Sequence, residues 1–154
     1  MPHALLRDVL TRLGVIAALA LLPVAAAARG HAPQVAQSIS ASAGNPALLA
    51  RALLDLGHGN FTGFSEPWCA DAVSAWLTAI GRAPLRDHTA SSALSYGPLA
   101  RAPAPGDLIV MRHHVGIVIA GLGDELEIVS GNWGRQVARA RVARRTALAF
   151  VHAG

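Results

Sequence analysis

Ala102-Pro103-Ala104-Pro105-Gly106-Asp107 divides the chain into two kinds of pattern. Proline cannot continue a helix and pushes the residue before it toward extended backbone, so this stretch is a crossing between elements. Before it, apolar residues recur at helical spacing. Asn45 is placed to cap a helix that starts at Pro46 and carries Leu48, Leu49, Ala52, Leu53 and Leu56 on one stripe, with Gly57 at its stop. A second helix is expected over 67–80, with Trp68, Val73, Trp76, Leu77 and Ile80 as its apolar positions and Gly81 as its close. A shorter one is expected over 89–96. After the crossing the pattern turns to short β-branched runs: 108–111, 115–120, 125–130, 136–142 and 148–152. Helices first and an antiparallel meander afterwards predict an α+β domain.

Glu66-Pro67-Trp68-Cys69-Ala70-Asp71 places the chain's single cysteine in the first turn of the second helix. Backbone N–H groups there lack intrahelical partners and the helix end carries partial positive charge, which favours thiolate over thiol. Cys69 and Val73 lie four residues apart on one face, so the sulfur is expected at the edge of the core. Asp71 reads as an ordinary acid of a helix start.

His113-His114-Val115-Gly116-Ile117-Val118 puts histidines at the mouth of an apolar strand, and Ser130-Gly131-Asn132-Trp133 puts polar groups just beyond the next. With a turn at 121–124, hairpin pairing brings these two ends together. A nucleophilic thiol needs a base, and the base needs a third group to orient it; Cys69, a histidine and Asn132 meet those needs. Adjacent strand residues point to opposite faces, so one of His113 and His114 meets the thiol, and spacing does not choose between them. The chain lacks the paired Cys-x-x-Cys or His-x-x-x-His spacing of a zinc site, and no metal is expected.

In order and spacing, Pro67-Trp68-Cys69-Ala70, Pro105-Gly106-Asp107-Leu108-Ile109-Val110, His114-Val115-Gly116-Ile117-Val118 and Gly131-Asn132-Trp133 resemble a known group. It is the CHAP-like (cysteine, histidine-dependent amidohydrolase/peptidase) branch of the papain-like superfamily, which also contains the NlpC-type cell-wall hydrolases. The resemblance implies a papain-like arrangement of the α+β fold, with the nucleophile at a helix start packed on a small antiparallel sheet. It implies Cys69 as nucleophile, His114 as base, and peptidoglycan amide bonds as substrate, in the stem peptide or at its junction with the sugar. Hydrolysis through a thioester needs no cofactor. Trp68 and Trp133 are the candidate substrate-binding residues. The chain departs from the group at two positions. Ser130 stands where many members have an acid, which leaves the orientation of His114 to Asn132. Trp68 stands where many have glutamine, which leaves the Cys69 N–H as the main oxyanion donor. An inactive wall-binding or scaffolding domain of the same fold is the competing expectation, and an acyltransferase would use the same thioester.

Arg7 and Arg12 precede an apolar run from Leu13 to Leu22, and Ala26-Ala27-Ala28 follows Pro23. This predicts a signal peptide over 1–28, an exported protein that is periplasmic or secreted, and no stable membrane insertion after cleavage, since the run is short for a bilayer span. Residues 29–44 read as a flexible leader and 45–154 as one domain. The net charge is +4, carried wholly by arginine. Five arginines fall between Arg135 and Arg145, where Arg139 and Arg141 share strand parity as a solvated face. Neither a DNA-reading motif nor the interleaved aromatics of an RNA binder accompanies them, so no nucleic-acid partner is expected.

Overall fold

The computed structural model describes residues 44–65 and 67–154. The expected signal peptide at 1–28, nearly all of the expected leader at 29–44, and Glu66 lie outside the described residues. Gly44, assigned to the leader from sequence, packs against the proline-rich crossing: a Cβ there would fall 2.1 Å from the Pro105 carbonyl oxygen.

The architecture is α+β. Helices α1 (Pro46–Leu53) and α2 (Cys69–Ala79) precede six strands: β1 (Leu99–Ala100), β2 (Leu108–Met111), β3 (His114–Leu122), β4 (Glu125–Trp133), β5 (Gln136–Ala143) and β6 (Ala147–Val151). These form one antiparallel sheet in the order β1-β6-β2-β3-β4-β5. The two-residue β1 was not expected from sequence, because Gly97-Pro98 reads as a stop. Its pairing of Leu99 with Val151 depends on a residue 52 positions away.

Asn45 caps α1 as its position predicts, its Oδ1 accepting the Leu48 N–H at 2.9 Å, while its Nδ2 donates to the Ala153 carbonyl at 3.1 Å. The first helix and the end of the sheet are thereby held together. Beyond α1, Asp55 accepts the Trp76 indole N–H at 2.8 Å and the Arg51 guanidinium at 2.9 Å, which pins α1 to α2. The expected helix over 89–96 is a 3-10 segment, Ala90–Ser95. The Ser92 hydroxyl donates to the Thr89 carbonyl at 2.7 Å, with the Asp87 carbonyl also within reach at 3.1 Å, and such side-chain bonds compete with a regular α-helix.

Strand alternation gives the sheet two apolar faces. Leu108, Val110, Val115, Ile117, Val129 and Val151 pack under α1 and α2 with Leu48, Trp68, Val73 and Trp76. Ile109, Met111, Val118, Leu126, Ile128 and Val142 form a second cluster. All four residues of β2 are buried, as befits a strand covered on both sides. Each large core side chain stabilises the fold by roughly 1.5–3 kcal/mol.

β4 and β5 join through Gly134-Arg135, both at positive φ (64° and 68°), the geometry of a tight hairpin turn. Between Ser130↔Ala138 and Trp133↔Gln136, two β4 residues, Gly131 and Asn132, oppose the single Val137. Asn132, at φ 56°, is part of this bulge. The extra residue breaks the period of two, so Trp133 falls on the same face as Ser130. Strict alternation over 130–133 would have separated them.

Candidate functional site

Cys69 is the first residue of α2, one position after Trp68 at its N-cap. The N-terminal turn wedges against the bulge of β4, where a Cβ on Gly131 would lie 2.5 Å from the Ala72 methyl and 2.7 Å from the Trp68 ring. Only glycine permits that approach. β3 and β4 last pair at Ile117↔Val129 before this end, so Val115 has no ladder partner from β4 there. Its backbone groups instead face the site: the Val115 N–H lies near enough to the Cys69 sulfur to pull its pKa down, and its carbonyl accepts from the Ser130 hydroxyl at 3.0 Å.

The thiol is 2% exposed. Burial pushes Cys69 up from the ordinary thiol range, and the nearby Asp71 charge adds to this, outweighing the N–H groups of Val115, Ala70 and Cys69 that pull it down. The sequence-based expectation of a thiolate favoured by the helix start is therefore corrected. Desolvation exceeds the stabilisation offered by the helix end. Burial likewise pushes His114 down from the ordinary imidazole range. Both shifts favour the uncharged forms of the two groups.

His114 opens β3, is half-buried, and is hydrogen-bonded through Nε2 to the Ser130 hydroxyl. Ser130 is fully buried, and its Oγ lies 3.0 Å from the carbonyl oxygens of both Val115 and Gly131. A hydroxyl has one proton and a carbonyl can only accept. With the Ser130 proton committed to a carbonyl, its oxygen accepts from Nε2–H, and the neutral ring keeps its lone pair on Nδ1. Ser130 is thus the group that orients the imidazole. Asn132 is half-buried in the bulge and makes no hydrogen bond to His114, which corrects the role expected for it from sequence. Gly116 makes room for this contact, since a Cβ there would crowd the Ser130 Cβ at 3.1 Å.

The two tryptophans separate. Trp68 is fully buried, with its rings against Gly131 and Phe61, so it supports the site from the core and presents no surface to a substrate. Trp133 is half-buried and meets His114 edge-on at 5.1 Å between ring centroids. His113 is exposed and belongs to the Arg112-His113 turn rather than to a strand. It lines a cavity of about 600 Å³ beside Cys69, together with Arg112, Phe64, Asp71 and His88. Asp71 and His88 are hydrogen-bonded there, a pairing that sequence reading missed because it joins the helix start to a loop 17 residues later. Among the described residues, no group of three or more His, Cys, Asp or Glu side chains is arranged to hold a metal ion. No described helix is long and apolar enough to cross a membrane.

No protein-family profile matches the chain, and no curated protein matches it in sequence. Among solved structures it is similar to the crystal structure of Ly7917, with 19% identity and a TM-score of 0.52. The likeness covers 69% of this chain and 61% of that one, so it spans less than two thirds of the neighbour. At that identity it is evidence of a shared fold alone.

Proposed function

We propose that this chain is an exported cysteine hydrolase of the papain-like, CHAP-like kind that cleaves an amide bond in peptidoglycan. The observation that carries the reading is the packing of the first turn of α2, which bears Cys69, against Gly131 of β4, directly after Ser130, whose hydroxyl holds the His114 imidazole. Nucleophile, base and orienting group come from three separate elements.

As the Cys69 sulfur attacks the substrate carbonyl, its proton passes to Nδ1 of His114. The developing oxyanion is stabilised by N–H groups of the α2 first turn, which have no intrahelical partners. Collapse breaks the C–N bond, the imidazolium protonates the leaving amine, and a thioester remains on Cys69. Water then attacks the thioester, giving its proton to His114. The acid product leaves and the thiol is restored. Export rests on the residues at 1–28, and peptidoglycan as substrate rests on the resemblance.

The test is mass spectrometry of isolated peptidoglycan incubated with the mature protein. New amine and carboxyl ends are expected with the wild type and none with folded Cys69→Ala. Burial of the thiol favours a second reading, an inactive wall-binding domain. Wall binding without fragments, together with slow labelling of Cys69 by iodoacetamide at neutral pH, would establish that reading instead.

A further inference from the structure

Two-residue hairpins favour turns with positive φ, because the twist of such turns matches that of the strands, and glycine or asparagine then fills them. Two hairpins of this sheet follow that rule: Gly123 of the β3–β4 turn lies at φ 69°, and Gly134 and Arg135 of the β4–β5 turn lie at 64° and 68°. The β2–β3 hairpin does not. Met111 pairs with His114, so Arg112-His113 is the whole turn, and neither residue is at positive φ. Residues that break a local rule without a gain for the fold are expected where function needs them. Both side chains are exposed and line the cavity of about 600 Å³ that Cys69 also lines. The Arg112 guanidinium has no hydrogen bond or ion pair among the described residues. Asp71, the one acid among the described residues lining that cavity, is taken by His88. A free guanidinium is a planar fork that takes a carboxylate through two parallel N–H···O bonds, and the His113 imidazole beside it supplies a further N–H donor.

We propose that Arg112, with His113 beside it, forms a subsite for a carboxylate of the substrate, and that the β2–β3 turn forgoes the favoured turn residues in order to present it. The inference deepens the hydrolase reading and rests on it for the word substrate, but the carboxylate site itself is independent of turnover. The turn runs directly into His114 at the start of β3. A carboxylate held by Arg112 therefore anchors the substrate beside the proposed base, in the cavity that Cys69 lines. Arg112 selects peptides that carry an acid and takes no part in proton transfer.

Two sources of the carboxylate are distinguishable: a peptide C-terminus and an acidic side chain. The probes are N-acetyl-Ala-Ala-Ala, its C-terminal amide, and N-acetyl-Ala-Glu-Ala-amide. They are titrated into the full mature protein carrying Cys69→Ala, with binding read by calorimetry and by backbone amide shifts at 69–71 and 112–114. At least one of the carboxylate peptides is expected to bind about tenfold or more tightly than the neutral alanine amide, the scale of one hydrogen bond to a charged group. Arg112→Gln is expected to remove that difference and leave the neutral peptide unchanged, and Arg112→Lys to restore only part of it, since an ammonium lacks the planar fork. Arg112→Asn combined with His113→Gly supplies the residues a tight hairpin favours, and is expected to lose the preference while melting no lower than the parent. The contrast between probes on protein with an unaltered turn decides the matter even where a variant fails to fold. Equal affinities, no measurable binding of any probe, or a preference that survives Arg112→Gln would each overturn the subsite. Wall digestion by the wild type is scored separately. Carboxylate preference without digestion keeps the subsite and removes the hydrolase, whereas digestion without carboxylate preference does the reverse.

Discussion

His114 and His152 are each held by a side-chain oxygen reached across the sheet, and the two oxygens differ in charge. At the sheet end beside β1, His152 Nδ1 bonds Asp107 Oδ1 at 2.7 Å, and Asp107, fully buried, accepts the Ala104 N–H on its other oxygen at 2.7 Å. That pair clamps the proline-rich crossing to the end of β6. At the open end of the β3–β4 hairpin, His114 has a neutral hydroxyl. A hydroxyl fixes the tautomer and direction of a ring without adding charge, so the burial that pushes His114 down is not offset by a carboxylate. The comparison teaches that one fold uses a carboxylate where it clamps a crossing and an uncharged hydroxyl at the ring that the proposed mechanism asks to take up and return a proton.

The sharpest way to break that contrast is to remove each ring. His114→Ala is expected to lower kcat by about 10²- to 10⁴-fold, the range for loss of a positioned general base. His152→Ala is expected to lower the thermal midpoint while the folded fraction keeps its rate. Kinetics on soluble wall fragments, with melting curves beside them, check both. If His152→Ala costs as much turnover as His114→Ala, the division of roles is wrong.

The clamp itself is probed by Asp107→Asn. Two hydrogen bonds to a buried carboxylate are weakened at once, and a loss of about 1.5–3 kcal/mol is expected in denaturant unfolding. A loss within 0.5 kcal/mol, the ordinary scale of a surface substitution, would show that the pair does not clamp the crossing.

Exchanging the partner of the other ring sharpens the comparison. Ser130→Ala is expected to lower kcat by roughly tenfold with little change in substrate affinity, since a freely turning base harms the chemical step. The pH profile of kcat/KM carries the sign. His114 acts as a base only when deprotonated, and its ordinary value of ~6.5 is lowered, so the wild-type acid limb is expected below that value. Ser130→Asp puts a carboxylate beside the ring, stabilises the imidazolium, and is expected to move the limb to higher pH. A limb that stays in place would show that residue 130 does not govern the charge of His114.

The smallest effect is expected at Asn132. Its φ of 56° suits glycine, and it makes no bond to the imidazole, so Asn132→Gly is expected to keep activity within a few fold and leave the fold intact. A loss exceeding that of Ser130→Ala would return the orienting role to Asn132.

Much of this was legible in the residues because it is local. Asn45-Pro46 marks a helix start through a side-chain cap and a fixed φ, and β2 falls on Leu108–Met111 as its apolar run predicts. The placement of Cys69 at a helix start, and of His114 and residues 130–132 at one end of a hairpin, followed from a proline, a turn and the reversal of a strand. Only the tertiary structure decided which of these residues touch. The bulge at Gly131-Asn132 set Ser130 and Trp133 on one face against His114, where period-two counting would have separated them. Trp68 went into the core because α2 lies against Gly131, a distance no pattern along the chain encodes. The state of the Cys69 thiol turned on the same point. A helix start acts through a few neighbouring N–H groups that sequence can place, while burial sums over every atom that excludes water, and those atoms come from α2, β3 and β4 together.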